Sequence, residues 1–132
     1  MLVYRVAKPF PDDEETTVPP GPYARGFEGE EMEELSNRIN EAHSYGPASD
    51  WHPSPWRDIG LDIQVDEYCG FVSLDQLADW FKGWFVELHR HGFLGYVYDV
   101  PEHLVRYGRF QVVTPLKQSW LVETFPLCGG PN

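Results

Sequence analysis

The chain of 132 residues contains only two cysteines, Cys69 and Cys128, and they do not form a CxxC pair. Redox and zinc motifs need closely spaced cysteines, so we interpret these two as reduced thiols of a cytoplasmic protein. Basic residues are also scarce, because ten Lys and Arg stand against 21 Asp and Glu and give a formal net charge of −11. Binding to nucleic acid depends on Lys and Arg that neutralise phosphates, so direct nucleic-acid binding is not expected.

Long apolar runs and common catalytic motifs are missing as well. No stretch approaches the roughly 20 apolar residues of a membrane-spanning helix, and the N-terminus lacks a signal-peptide core. The chain has no GxSxG elbow, no Walker loop and no GxGxxG motif. His89 and His91 have no third ligand nearby, so no metal site is expected. The sequence therefore predicts a protein that binds neither membrane nor metal.

The length of the chain predicts one domain, residues 1–132. Aromatic residues make up 15% of the chain and provide large side chains for its core. Two segments are too rich in Pro, Gly or acid for regular structure. These are an acidic, Pro-rich loop over residues 9–22 and a Pro- and Trp-rich loop over residues 45–60. The second loop should be anchored by its large aromatic side chains. Residues 128–132 are interpreted as a tail.

The strongest helical pattern begins at Ser73, where Ser73 and Gln76 fit a capping box. Gly92 suits a left-handed helix stop, so the pattern predicts one amphipathic helix between these points. Apolar residues recur at helical spacing on the face predicted to be buried: Leu74, Leu77, Phe81, Trp84, Phe85 and Leu88. The opposite face carries Asp75, Asp79, Lys82 and Val86. We expect this helix to be the packing centre of the domain.

The remaining elements follow from shorter patterns. Residues 28–43 predict a second helix, because Met32, Leu35, Ile39 and Ala42 recur at helical spacing behind an acidic first turn. Strands are predicted over residues 1–6, 93–100, 109–114 and 119–125, and a short one within 61–68. In the first strand Leu2, Tyr4 and Val6 share one face. Strands separated by two main helices indicate an α+β fold.

Several blocks of sequence carry a resemblance to a known group of proteins. They are Tyr4-Arg5-Val6, Gly21-Pro22-Tyr23, His52-Pro53-x-Pro55, the block from Cys69-Gly70-Phe71 to Trp80-Phe81, Tyr98-x-Val100-Pro101 and Gly108-x-x-Gln111-Val112-Val113. With these blocks the chain resembles a family of small proteins from tailed phages and prophages. The resemblance implies an accessory protein that works in the cytoplasm of the host cell.

The order of parts also resembles the ADP-ribosyltransferase fold, whose mostly antiparallel sheet lies in two halves. In that fold an early strand supplies an Arg or His for the NAD ribose, a middle strand delivers a Ser or Tyr, and a late strand delivers a catalytic Glu. The resemblance implies that Arg5, Ser73 and Gln111 occupy these catalytic positions. Gln111 departs from the pattern, because an amide has no charge with which to stabilise an oxocarbenium ion.

The same resemblance implies NAD as a cofactor, bound between the half-sheets. Tyr4, Tyr23 and Phe71 would contact the nucleotide, and His52, which lies among prolines and tryptophans, is a separate recognition candidate. The protein would then bind the nucleotide or transfer ADP-ribose to a host or defence factor.

Structural alternatives stay open for each catalytic candidate. Ser73 is explained as an N-cap, Arg5 as a solvated or salt-bridged residue, and Gln111 as a strand residue that faces solvent.

The acidic residues support a hypothesis of a different class. Glu30, Glu31, Glu33 and Glu34 lie together in the predicted helix 28–43. A non-catalytic inhibitor, such as an anti-CRISPR or anti-restriction protein, would place such a cluster in the basic nucleic-acid channel of a host or defence protein. The plain alternative is that the acid serves solubility.

Overall fold

The computed structural model describes residues 1–8, 18–19, 21–22, 30–44, 52, 54–60, 62–64 and 66–127. Four helices lie in this part of the chain: α1 (Glu30–Ser44), α2 (Pro55–Asp58), α3 (Leu74–Trp80) and α4 (Phe85–Arg90). Six strands accompany them: β1 (Leu2–Ala7), β2 (Glu67–Gly70), β3 (Leu94–Asp99), β4 (Arg106–Tyr107), β5 (Val112–Pro115) and β6 (Leu121–Pro126). The predicted α+β class is confirmed.

The strands form two antiparallel sheets, one in the order β1-β3-β6 and one in the order β2-β5-β4. The sheets meet where Phe71, directly after β2, pairs with Tyr4 of β1 through reciprocal backbone hydrogen bonds of 2.7 and 2.8 Å. Gly70 permits this close approach, because a Cβ at this position would lie 2.6 Å from a methyl carbon of Val3. The junction therefore joins the start of the chain to its middle.

The core has two parts, which lie on opposite faces of β1. Val6 belongs to the part formed with the helices, together with Leu35, Ile39, Phe71, Leu77, Trp80, Phe81, Leu88 and Phe93. Val3 and Ala7 belong to the second part, together with Tyr96, Tyr98, Val100, Val105, Val112 and Leu116. The predicted alternation along β1 is confirmed, since Tyr4 packs on the same side as Val6.

The single helix predicted from Ser73 to Gly92 is wrong, because the segment folds as α3 and α4 with a turn over residues 81–84. Gly83 has a φ of +89°, a left-handed conformation that interrupts a right-handed helix. The predicted start at Ser73 and the predicted stop at Gly92 are both confirmed. The Gln76 amide donates to Ser73 Oγ (3.1 Å), the Val72 amide donates to Gln76 Oε1 (3.1 Å), and Gly92 has a φ of +86°.

The break also changes which side chains the helical segment buries. Leu77, Phe81 and Leu88 are buried as predicted, but Leu74 is 51% exposed. Leu74 lies in the first turn of α3, whereas the residues that α3 buries, Leu77 and Trp80, lie further along. A continuous apolar stripe from Leu74 onwards is therefore wrong.

Three further segments differ from the predictions. The strand expected over 109–114 is confirmed only from Val112 onwards, as β5, because the residues before it form the turn that joins β5 to β4. The last strand begins at Leu121, because residues 118–120 form a 3-10 turn. The loop over 45–60, expected to be irregular, contains α2. Its Pro55 takes the first helical position, and the Ser54 carbonyl accepts from Arg57 N (3.0 Å) and Asp58 N (2.9 Å).

Candidate functional site

Arg5 lies on β1 next to the junction of the two sheets and is buried, with 6% of its surface exposed. Its Nε donates to the Cys69 carbonyl (3.0 Å) and its Nη1 donates to the Pro19 carbonyl (2.8 Å). The guanidinium also lies 5.2 Å from the ring centre of Tyr68. Burial lowers the pKa of Arg5 from its ordinary value. Arg5 thus connects β1, β2 and Pro19.

Tyr98 of β3 continues this polar network through the second part of the core. Its side chain lies close enough to Arg5 to feel that charge, and its hydroxyl donates to Gln118 Oε1 (3.0 Å). Burial raises the pKa of Tyr98 to about 12, although the nearby Arg5 cation acts in the opposite direction. The buried charge of Arg5 therefore meets two main-chain carbonyl oxygens, with Tyr98 nearby.

Gln111 is buried rather than facing solvent, which corrects that alternative for this residue. It lies just before β5, and its backbone amide donates to Asp58 Oδ2 (3.2 Å). The ladder of β2 and β5 ends at the pair Gly70 and Val112, so Gln111 and Phe71 are the residues that adjoin this last pair. The backbone therefore brings Gln111 and Arg5 to the same junction, from opposite ends of the sequence.

The other nucleotide candidates at this junction take part in packing or capping. Ser73 Oγ accepts the hydrogen bond that begins α3. The buried Phe71 ring contacts the rings of Trp80 (5.6 Å between centres) and Phe81 (6.0 Å), and Tyr4 packs against the same cluster. Tyr23 lies outside the described residues.

His52 belongs to a different cluster, together with His43, a residue that the sequence analysis missed. The two imidazole rings stack with centres 3.8 Å apart and an interplanar angle of 4°. The His52 Nε2–H donates to the Trp80 carbonyl (2.8 Å), which anchors this part of the Pro- and Trp-rich loop to α3. The sequence does contain a pattern that indicates burial of His43, because this residue continues the four-residue spacing of Leu35 and Ile39 on the buried face of α1.

Stability should fall in mild acid because of His43. Burial, and then the neighbouring His52, lower the pKa of His43 from 6.5 to about 4. Between these pH values the unfolded chain takes up a proton that the folded chain does not. The stability present above pH 6.5 is therefore lost towards pH 4, by up to about 1.4 kcal/mol per pH unit. Urea unfolding at pH 7 and pH 4.5 measures this loss.

The variant His43→Phe keeps a flat ring against His52 but cannot be protonated, so its unfolding free energy should change less with pH. His89→Gln, at an exposed position of α4, is the control and should behave like the wild type. An unchanged pH dependence in His43→Phe would show that another group is responsible.

The outer face of α1 carries the acidic candidates. Glu33, Glu34 and Glu41 are exposed, while Leu35 and Ile39 anchor the helix in the core. Arg38 is the basic residue of this face, and its Nη1 donates to both carboxylate oxygens of Glu87 on α4 (2.8 and 3.0 Å), with Glu34 also 3.5 Å from its Nε. The side chains of Glu30 and Glu31 lie outside the described part of the chain. The described face is therefore a solvent-exposed acidic surface.

Comparison with known protein families identifies the family of this chain. The model of the family described as Bacteriophage T4 Y00F protein matches residues 1–128, and the chain belongs to this family. The phage resemblance of the sequence motifs is thereby confirmed. No curated protein and no solved structure matches the chain, so these comparisons do not support the ADP-ribosyltransferase likeness. Among the described residues, no helix is long and apolar enough to cross a membrane.

Proposed function

We propose that this member of the bacteriophage T4 Y00F family acts by binding rather than by catalysis, and that the acidic face of α1 docks on a basic surface of a host or defence protein. The observation that carries the proposal is the exposed row Glu33, Glu34 and Glu41 on a helix whose other face is fixed in the core. A partner can therefore meet this row without any rearrangement of the domain.

Electrostatics favour such a partner. The net charge of −11 attracts a basic surface over a distance comparable with the Debye length, about 10 Å at 0.1 M salt. Arg38 compensates only part of the charge on α1, because its guanidinium is shared between Glu34 and Glu87. A channel that normally holds nucleic acid presents the complementary charge.

The engagement of the catalytic candidates also supports binding over catalysis. Arg5 donates to two main-chain carbonyls, and Ser73 caps α3. These atoms are thus committed to the fold, and a substrate that required the same atoms would have to displace their backbone partners, which costs free energy.

Charge reversal on α1 should slow association with the partner. We expect the triple variant Glu33→Lys, Glu34→Lys and Glu41→Lys to keep its fold, because these side chains are exposed, and to associate at least tenfold more slowly at low salt. The matched control reverses three exposed acids elsewhere, Asp66→Lys, Glu102→Lys and Glu123→Lys. Both variants carry the same net charge, so only a local effect of α1 distinguishes them.

The measurement is capture of the partner from host lysate with the wild type, followed by association kinetics of all three proteins with that partner at 0.1 M and 1 M salt. At 1 M salt the wild type should no longer associate faster than the α1 variant, because the Debye length falls to about 3 Å. If association slows equally in the two variants, net charge alone explains the effect. If association slows in neither variant, the proposed docking face is wrong.

The nucleotide hypothesis remains a second proposal, supported by the approach of Arg5, Phe71 and Gln111 to one junction. Calorimetry with NAD at millimolar concentration tests it directly. A heat of binding that Gln111→Ala abolishes and Lys82→Ala leaves intact would favour this function, since Lys82 is exposed in the turn between α3 and α4. No heat in the wild type would remove it.

A further inference from the structure

The turn between β4 and β5 is a small concave loop that its own backbone holds in shape. The Gly108 amide donates to the Gln111 carbonyl (2.8 Å), and the flanking residues Tyr107 and Val112 pair as the last rung of the hairpin. Arg106, at the base of the hairpin, donates to both carboxylate oxygens of Glu67 on β2 (2.9 and 2.7 Å). None of these contacts involves Asp58.

Three successive backbone amides of this turn converge on one carboxylate. Those of Arg109, Phe110 and Gln111 donate to the oxygens of Asp58 at 2.5, 3.1 and 3.2 Å. Gly108 leaves the space that the carboxylate fills, because a Cβ there would overlap Asp58 Cγ and both of its oxygens. Successive amides that converge in this way form a nest, the backbone arrangement that binds anions in many phosphate sites.

We propose that the Gly108–Gln111 turn is a phosphate-binding nest and that Asp58 is its built-in, displaceable occupant. The nest depends on contacts within the hairpin, so it stays formed when the carboxylate leaves. A phosphate group offers the same kind of ionised acceptor oxygens as the Asp58 carboxylate and carries more charge, so it can take the place of the carboxylate at these amides. Arg57 precedes Asp58 in sequence, and Arg109 contributes its own amide to the nest; both side chains are exposed and add positive charge near the turn.

The occupant reaches the nest from a distant part of the chain. Asp58 is the last residue of α2, a helix of four residues that follows directly on Ser54. Displacing it breaks the three hydrogen bonds to the turn and leaves the ladders of β2, β4 and β5 intact. Binding of phosphate would therefore break the hydrogen bonds that join the end of α2 to the turn. This inference is independent of the acidic face of α1.

The test compares full-length wild type, Asp58→Ala and Asp58→Asn by backbone amide NMR during titration with inorganic phosphate. Sodium chloride at equal ionic strength is the control. In Asp58→Ala the amide signals of residues 109–111 should shift saturably at millimolar phosphate. Half-saturation of Asp58→Asn should need more phosphate than that of Asp58→Ala, because the side-chain amide oxygen of Asn still competes for the nest. Half-saturation of the wild type should need at least tenfold more phosphate than that of Asp58→Ala. Adding Gly108→Ala to Asp58→Ala should abolish the shift, since the new methyl group occupies the anion position.

A parallel titration with adenosine monophosphate separates the two sources of the phosphate. Tighter binding than that of inorganic phosphate indicates a nucleotide, and equal or weaker binding indicates the free anion. Should Asp58→Ala fail to fold, Asp58→Asn against the wild type gives the same comparison. Amide signals that respond no more to phosphate than to chloride in the folded variants would overturn the proposal, as would equal affinity in the wild type and the folded variants.

Discussion

Replacing Arg5 by Met should lower the free energy of unfolding by roughly 2–5 kcal/mol. The substitution leaves the carbonyls of Cys69 and Pro19 without their donors, and each unsatisfied buried acceptor costs about 1–3 kcal/mol. Removing a buried cation from the core returns part of this cost, since its desolvation penalty disappears as well. Methionine fills most of the space, so a large cavity does not contribute. Denaturant unfolding followed by tryptophan fluorescence measures the loss.

Lys82→Met is the control, because Lys82 is exposed and an exposed substitution usually changes stability by less than about 0.5 kcal/mol. A loss below about 1 kcal/mol for Arg5→Met would show that the guanidinium contributes little to the fold. That result would strengthen the case for a ligand at Arg5.

Phe81→Ala should cost about 3–5 kcal/mol, the range for deleting a large buried aromatic side chain. Phe81 is 3% exposed, and its ring meets Phe71 edge-on with centres 6.0 Å apart. It lies in the turn between α3 and α4, so it joins both short helices to the junction of the sheets. The cavity left by alanine would open at the centre of the helical part of the core.

Leu74→Ala is the matched control within the same predicted apolar stripe. Because Leu74 is 51% exposed, its truncation should cost less than about 1 kcal/mol. Equal losses for Phe81→Ala and Leu74→Ala would contradict the broken helix and restore the continuous stripe that the sequence predicts.

Local patterns predicted much of the fold because they depend on neighbouring residues. The Ser73 cap, the Gly92 stop and the alternation of β1 need only contacts within about four residues, and all three are confirmed. The break at Gly83 escaped this reasoning, since a single glycine within a helical pattern is often tolerated. Its left-handed φ emerges only when α3 and α4 pack separately on the core.

For the candidate sites, too, the sequence indicated some features and the structure decided others. The sequence marked Arg5, Ser73, Gln111 and His52 as residues worth attention, and it determined the acidic character of α1 through composition alone. Whether Gln111 faces solvent or the interior was open until the turn before β5 was placed.

By itself, then, the sequence determined the α+β class, the phage family and the charge of this protein, because these follow from composition, periodicity and short motifs. The tertiary structure decided the partners of its polar groups. Arg5 meets the carbonyl of Cys69, Asp58 meets the amides of the turn before β5, and His52 stacks on His43. The first two pairs are joined across more than 50 positions of the chain, and His43 and His52 lie on separate elements. Such pairings depend on how separate elements of the chain pack together, and no local pattern encodes that packing.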